Sequence, residues 1–284
     1  MLSRKILAME NESLVGLRGF VEVYEEIAAE RMQKIRSAVL KAREFLQGLA
    51  EIFAEVKLTY VKEVGALVAQ SKINRNGKTV AVFLSANSGL FGDIVERIFR
   101  KFTEFLAGNK AEVVIIGKQG LRMLQDRHPE ILYNYFDLSD DSVDLDSLRL
   151  IMRYLLQFEK IIVFYGKFEN IINQNPTVSS ISGDSLPNVN LDNKPQNKYL
   201  FEPTVKEILE VFESEILSSI FEQVMHESLL AKFASRLQHL DRSLQNIEER
   251  LVSLKFELVR WRHKIDNRKQ LSTLSGISIW EQSR

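Results

Sequence analysis

Two glycine-containing segments of this 284-residue sequence are the best placed to do chemistry. SANSGLFGD at 85–93 follows a β-branched run and precedes an amphipathic segment, which is the setting of a phosphate-binding loop. It lacks the Lys-Ser/Thr pair of a P-loop and the glycine spacing of a dinucleotide-binding fingerprint, and IIGKQG at 115–120 lacks both as well. We therefore expect both segments to be tight strand-to-helix turns, the first of which requires Gly89 and Gly92.

The remaining reactive side chains form no pattern typical of a catalytic or metal centre. His226, His239 and His263 lie in one long helical segment at spacings of 13 and 24 residues, which give no chelating pair. Ser85 has no evident His and Asp partners, and the absence of cysteine excludes thiol catalysis and disulfides. The acidic pairs that we interpret as solvated turn and helix faces are Asp140–Asp141 and Glu248–Glu249. The sequence thus predicts no enzyme activity of its own, no cofactor and no metal.

Composition narrows the possible partners of the chain. The formal net charge is zero, so neither nucleic acid nor an anionic membrane surface is expected as the main partner. No apolar run approaches the roughly 20 residues of a membrane span, so no direct span is predicted. The opening MLSRKILAMENE predicts no signal peptide.

The elements that carry these segments include a long C-terminal helix. Between Thr204 and Ser275 the chain has neither Pro nor Gly, and a continuous helix there would exceed about 100 Å at 1.5 Å per residue. Apolar side chains in this helix alternate in steps of three and four, which is the seam of a coiled coil. The seam positions are Leu230, Phe233, Leu237, Leu240, Leu244, Ile247, Leu251, Leu254, Leu258, Trp261 and Ile265.

The N-terminal segment has a seam of the same period, interrupted at Arg31. Two such seams at opposite ends of one chain can bury each other as an antiparallel pair. The predicted seam positions are Leu14, Leu17, Val21, Tyr24, Ala28, Ile35, Ala38, Ala42, Phe45, Leu49, Ile52 and Val56.

The middle of the chain has the pattern of an α/β sheet. Three β-branched runs, at 78–85, 111–117 and 160–166, alternate with amphipathic helical segments at 93–107 and 144–158. A polar loop is predicted at 173–198, and YLFEP at 199–203 is predicted to return as a strand. The fold class is therefore α/β: a long antiparallel two-helix coiled coil of the N- and C-terminal helices plus a small Rossmann-like α/β domain. The predicted domains are an N-terminal coiled-coil helix at 1–70, a globular domain at 71–203 and a C-terminal coiled-coil helix at 204–284.

These elements, taken in order over about 13–276, resemble the γ subunit of rotary F-type ATP synthases. Residues 13–49 are similar to the family's first shaft helix, including the Ala pair at 28–29 and Arg43. SANSGLFGDI resembles the family's Ser-Asp-Arg/Lys-Gly-Leu-Cys-Gly turn, and IIGKQG its Ile-Gly-Lys-Lys-Gly. Residues 163–178 are similar to the family's Tyr-Asn-x-Phe…Gln-x-Pro-Thr-Val stretch, and YLFEP is similar to its Tyr-Glu-Pro. Residues 226–246 are similar to the family's Glu-x-x-Ala-Ser-Glu-x-x-Ala-Arg-Met, with Ala234 and Arg236 at the matching positions.

The resemblance implies a central rotor that performs no bond chemistry. The paired helices would stand in the bore of a hexamer of α and β subunits, and the globular domain would contact the ε subunit and the membrane c-ring. Rotation would couple ion flow through the c-ring to ATP synthesis or hydrolysis. The expected location is peripheral, on the cytoplasmic face of a bacterial membrane.

Departures from the family pattern affect the expected charge contacts. Where the family's first helix has several lysines, this one has Glu22, Glu25, Glu26 and Glu30. The basic stretch at 255–269 is interpreted either as a stator-contacting surface or as solvated coiled-coil positions. The possible stator contacts are Arg262, Arg268, Lys269 and Gln270.

Three alternatives stay open on the sequence alone. The acidic replacements in the first helix motivate a γ-like shaft of a specialised F-type-like ATPase that is not coupled to ion transport. A free-standing coiled-coil scaffold would pair its helices between chains. An α/β hydrolase or nucleotide-binding enzyme with helical arms would turn over nucleotide without partners.

Overall fold

The computed structural model describes residues 4–64, 76–140, 143–182 and 205–282. The predicted return strand at 199–203 and both predicted domain boundaries lie outside these residues, so those boundaries stay predictions. In chain order the elements are α1 (Arg4–Val64), β1 (Thr79–Leu84), α2 (Ile94–Gly108), β2 (Glu112–Ile116), α3 (Lys118–Arg127), β3 (Tyr133–Phe136), α4 (Leu145–Leu155), β4 (Lys160–Phe168), β5 (Gln174–Ser182) and α5 (Val205–Gln282).

The chain divides into two compact units. The helix-pair unit comprises Met1–Ile27 and Gln238–Arg284, and the sheet unit comprises Ala28–Leu237. Helices α1 and α5 contribute to both units.

The sheet unit contains a five-stranded mixed sheet in the order β3-β2-β1-β4-β5. β1 pairs in parallel with β2 and β4, and β2 pairs in parallel with β3, whereas β5 is antiparallel to β4. The order of the four parallel strands, 3-2-1-4, is that of one side of a doubly wound Rossmann-type sheet. With the long terminal helices, this sheet confirms the predicted fold class.

The central strands are apolar throughout because helices cover both faces of the sheet. On β1, Val80, Val82 and Leu84 face a core built with α4 and α5. The alternate residues Ala81 and Phe83 face a second core, built with α1, α2, α3 and α5. The unbroken β-branched runs of the sequence are therefore strands buried on both faces.

Three elements of the sheet unit differ from the sequence prediction. Helix α3 begins within the segment expected to be only a turn, and β3 was not predicted. Strand β5 occupies the start of the predicted polar loop, where Pro176 pairs with Gly166 on the neighbouring strand. A proline is tolerated there because β5 is an edge strand among the described strands of the sheet.

Within the sheet unit α1 packs antiparallel on α5. The Arg31 guanidinium lies 5.9 Å from the centre of the Phe233 ring, and Arg43 Nη2 donates to Glu227 Oε1 at 2.7 Å. Further along α1, Phe53 packs in a cluster with Ile216. Because rising residue numbers on α1 meet falling numbers on α5, the two helices run in opposite directions.

The seam of α1 takes a different register from the predicted one. In the sheet unit the predicted Phe45 and Ile52 are 56% and 46% exposed, while Val39 and Phe53 are 4% and 3% exposed. Ala28 and Ile35 are buried as expected. Each heptad contributes two residues to the seam, and the second lies four residues after the first, where the prediction placed it three residues after.

The same register holds in the helix-pair unit, where the second seam position of each α1 heptad is occupied by a polar residue. Leu17 and Tyr24, predicted for the seam, are 49% and 44% exposed. Arg18 and Glu25, one residue further on, are partly buried. A continuous helix keeps one register, and the apolar Val39 and Phe53 fix it in the sheet unit, so polar side chains follow at the equivalent positions nearer the N-terminus.

Candidate functional site

The turn after β1 is bound to α5 by a set of buried polar side chains. Lys232 Nζ donates to the Ser85 carbonyl oxygen at 2.7 Å, and Ser235 Oγ donates to the Phe91 carbonyl oxygen at 2.8 Å. Arg236 Nη2 donates to the Gly89 carbonyl oxygen at 2.6 Å. These three side chains are spaced i, i+3 and i+4, so they lie on one face of α5 and together hold the turn at 85–91 in place.

Asp140 holds the same turn from the other side. Its carboxylate accepts hydrogen bonds from the backbone N–H groups of Asn87 and Ser88, at 2.9 and 2.6 Å, and from Ser88 Oγ at 2.9 Å. Lys232 Nζ lies 3.9 Å from the Asp140 carboxylate. The interpretation of Asp140 as a solvated turn residue was therefore wrong: it is 8% exposed and is part of the network.

The charge on Lys232 is held in a largely apolar environment. Burial lowers the pKa of Lys232 to about 8; Asp140 opposes this shift and Arg236 adds to it. The Arg236 guanidinium lies 3.8 Å from the centre of the Phe91 ring, a cation–π contact. Together these contacts make the turn a rigid part of the α5 surface.

Three residues in the turns after β1 and β2 have a left-handed backbone conformation. Leu90 and Gly92 adopt positive φ values of 67° and 64°, so the left-handed positions are these two rather than Gly89. Gly117, after β2, has φ 103°, and a Cβ there would lie 2.8 Å from the Ala86 nitrogen. The expected strand-to-helix turns are thus packed against each other.

This packing occupies the usual ligand position of the fold. A doubly wound sheet binds ligands outside the carboxyl ends of its parallel strands, where neighbouring connections diverge. Here that position, after β1, is filled by Lys232, Ser235 and Arg236 of the chain's own helix. What the arrangement can do is fasten the sheet to α5, a mechanical task.

The predicted seam residues of α5 line one side of that helix. Leu240, Ile247, Leu251 and Leu254 are at most 7% exposed. The other predicted positions, partly buried, are Leu237, Leu244, Leu258 and Trp261. On α1, Leu14 and Val21 are partly buried.

An ion pair joins the two helices inside the helix-pair unit. Arg250 Nη2 lies 2.7 Å from Glu10 Oε1, and Arg250 also reaches Glu257 at 3.2 Å. The possible stator contacts are exposed and lie further along α5: Arg262, Arg268, Lys269 and Gln270. Their contact with a stator stays a prediction.

The fold and the network define a class: an α/β protein in which long N- and C-terminal helices accompany a mixed sheet, with the position after β1 filled by side chains of α5. A family model described as ATP synthase matches residues 12–265. The ATP synthase gamma chains of Mycoplasmopsis pulmonis and Geobacter sp. strain M21 are 23% and 20% identical to it, over 85% and 97% of this chain and 87% and 96% of theirs. The Euglena gracilis mitochondrial ATP synthase rotor matches the fold with a TM-score of 0.62 at 14% identity, covering 93% of this chain and 99% of that one. The chain therefore belongs to the ATP synthase γ-chain family.

The residues that sequence reasoning missed are Lys232 and Asp140. A signal for Lys232 was present, because it is a lone cation in the apolar run LLAKFA. Its neighbours at 230 and 233 were assigned to the seam, and a charge between them must find a partner or a carbonyl. Asp140 lies 92 residues earlier in the sequence, so only the fold brings the two together.

Proposed function

We propose that this chain is the central-stalk rotor of an F-type ATP synthase or ATPase. The helices α1 and α5 stand together in the bore of a hexamer of α and β subunits, and the chain also contacts an ε subunit and a membrane c-ring. Rotation couples the c-ring to ATP synthesis or hydrolysis in the hexamer. The observation that carries the proposal is the antiparallel packing of α1 on α5 in a chain of the γ family.

The physical task of such a rotor is to transmit torque without changing its own structure. Buried seam residues such as Leu251 and Leu254 resist sliding of one helix on the other because sliding would expose their apolar side chains to water. The Arg43–Glu227 and Glu10–Arg250 pairs add cross-links between the helices. In the sheet unit, Lys232 and Asp140 tie the sheet to α5, so a force on the sheet reaches the helix.

The rotor is non-catalytic and peripheral in this proposal. Its side chains supply no nucleophile or base, and ATP is made or split in the partner subunits. No helix in the part of the chain that the structure describes is long and apolar enough to cross a bilayer. The proposed location is the cytoplasmic face of a bacterial membrane, where the c-ring would hold the chain.

Purification of the native assembly tests the proposal. A tagged chain is expected to bring down ATPase α- and β-type subunits in equal amounts, about three of each per chain. Immobilising that hexamer and attaching a bead to the sheet unit should show ATP-driven stepwise rotation of the bead. A chain that purifies without ATPase subunits, or a hexamer that hydrolyses ATP while the bead stays fixed, would refute the rotor assignment.

The acidic α1 motivates a second candidate, a γ-like shaft of a specialised ATPase that is not coupled to ion transport. Glu22 and Glu26 are exposed on α1 where the resemblance leads one to expect lysines. The two candidates differ in whether membrane c subunits are present in the same preparation. Mild detergent extraction followed by mass spectrometry separates them, since only the ion-coupled rotor retains a c-ring.

A further inference from the structure

The helix-pair unit exposes an apolar surface on the side of α1 that faces away from α5. On this surface Met9, Phe20, Val23 and Ile27 are 58%, 70%, 54% and 38% exposed. The seam residues Leu14 and Val21 point the other way and are partly buried. We call Met9, Glu12, Gly16, Gly19, Phe20, Val23, Glu26 and Ile27 the α1 outer face.

Two glycines on the α1 outer face have open space around them within the described chain. A Cβ added to Gly16 or to Gly19 would meet no described atom within 4 Å. Glycine destabilises a helix relative to alanine, and here no internal contact or positive φ requires it. Because a glycine has no side chain, Gly16 and Gly19 leave the backbone of α1 accessible to close approach by another protein segment.

The α1 outer face is acidic as well as apolar. Glu12 and Glu26 are exposed on it, and Glu22 is exposed beside it. The basic side chain of this stretch, Arg18, lies with Nε 3.4 Å from Glu22 Oε1, so part of its charge is already compensated. A partner that covers this surface must supply positive charge, since burying unpaired carboxylates is costly.

The side of α5 that faces solvent in the same unit carries mainly positive charge. Val252, Phe256 and Val259 are 51%, 65% and 48% exposed there. The exposed cations around and beyond them are Lys255, Arg260, Arg262, Lys264, Arg268 and Lys269. One helix of the pair therefore presents an acidic apolar surface and the other a basic apolar surface.

We propose that the α1 outer face docks closely on an apolar segment of the ring subunits that carries lysine or arginine. This inference rests on the proposed function and adds the chemistry of the partner surface. Apolar contact supplies the burial, the glycines let a helix or loop approach the α1 backbone, and the partner's cations pair with Glu12, Glu22 and Glu26. The exposed surface of α1 is acidic and that of α5 is basic. Charged side chains of the ring therefore interact differently with the two helices at every angle of rotation.

Photocrosslinking identifies the partner surface directly. Benzoylphenylalanine at Val23, in the assembled complex, is expected to link the chain to a ring-subunit segment with more Lys and Arg than Asp and Glu. A link to a predominantly acidic segment, or to a second copy of this chain, overturns the proposal.

Glycine substitution separates docking from folding. Gly16→Leu and Gly19→Leu are expected to leave the thermal unfolding temperature of the isolated chain unchanged or raise it, because the added side chains meet open space. The same variants should bind the ring at least about tenfold more weakly if a partner lies close to the backbone. Ring affinity equal to that of the unsubstituted chain overturns the proposal.

Charge reversal tests the electrostatic part. Glu26→Lys should dissociate from the ring about three- to tenfold faster at 50 mM NaCl and less than twofold faster at 500 mM, because salt screens the contact. Glu104→Lys, a charge reversal at another exposed position, on α2, is the matched control and should dissociate at the normal rate. Equal rates for both variants overturn the proposal. If the unsubstituted chain fails to bind the ring, the proposed function itself falls; normal binding with unaffected variants refutes only this inference.

Discussion

At the scale of single residues, the chain uses buried charge to fasten one element to another. Lys232 is 4% exposed and still donates to a carbonyl, Ser85, with one carboxylate 3.9 Å away. Arg236 combines a carbonyl hydrogen bond with the face of Phe91. Each cation joins α5 to the turn at 85–91, which Asp140 holds from the other side.

Lys232→Met should alter how stability depends on pH. The pKa of Lys232 falls from its ordinary 10.5 to about 8 in the folded chain, so above pH 8 the unfolded chain binds more protons at this site. Stability should therefore rise between pH 8 and 9.5, and the complete shift corresponds to about 3 kcal/mol. Urea unfolding at several pH values should show this rise in the wild type and a flatter profile in the variant.

The pH range of that measurement is limited by a tyrosine. Burial raises the pKa of Tyr165 to about 12, so above pH 10 the folded chain holds an extra proton there and stability falls with pH. Lys255→Met, at an exposed position, is the control and should keep the wild-type profile. An identical slope in the Lys232 variant would show that the buried lysine does not titrate in this range.

Gly117→Ala should destabilise the sheet unit. The substitution places a Cβ 2.8 Å from the Ala86 nitrogen and 2.9 Å from its oxygen, at a φ of 103° that side chains rarely adopt. A loss of about 2 kcal/mol or more is expected from strain of this kind. The matched change Gly108→Ala, with open space around it, should be neutral or slightly stabilising in the same urea titration.

At the scale of elements, the strands could be predicted because they are short, apolar and bounded by turns. β1, β2 and β4 lie within a few residues of the predicted runs. β5 could not be predicted from its composition, since QNPTVSSIS gains its strand conformation from β4 alongside it. The network at the turn was equally hidden, because it joins residues 85–91, 140 and 232–236, which are distant in sequence.

The seam shows the limit of periodicity as evidence. In the later heptads of α1, apolar residues occur at both possible second positions: Ile52 and Phe53 are neighbours, and either could face α5. The pattern fixed the first position of each pair and left the second undecided. Packing against Ile216 of α5 decides for Phe53.

Alanine substitutions at these two neighbours test the register. Phe53→Ala should cost about 3 kcal/mol, because a 3%-exposed aromatic side chain in an interhelical cluster leaves a cavity. Ile52→Ala should cost less than about 1 kcal/mol, since that side chain is 46% exposed. Chemical denaturation of both variants gives the comparison. Larger destabilisation by the Ile52 change would restore the register that the sequence suggested.

At the scale of the whole molecule, a net charge of zero conceals a separation of charge. In the helix-pair unit, α1 contributes the acidic Glu22, Glu25 and Glu26, whereas α5 contributes the basic stretch at 255–269. A rotor needs a stiff pair of helices and a surface that differs from one side to the other. In this chain the buried seam of α1 and α5 provides the stiffness, and their opposite surface charges provide the difference.

A covalent staple tests whether the two helices move as one body. The sequence has no cysteine, so Glu10→Cys with Arg250→Cys gives a single addressable pair at a site where the native side chains lie 2.7 Å apart. Bridging the two thiols with a short bismaleimide should leave ATP hydrolysis by the assembled complex within about twofold of the unbridged variant. Either cysteine alone, treated identically, controls for the modification and for the lost ion pair, which is exposed and contributes little. If the staple stops turnover while the single variants remain active, then the helices must separate during rotation and torque is not carried by a fixed pair.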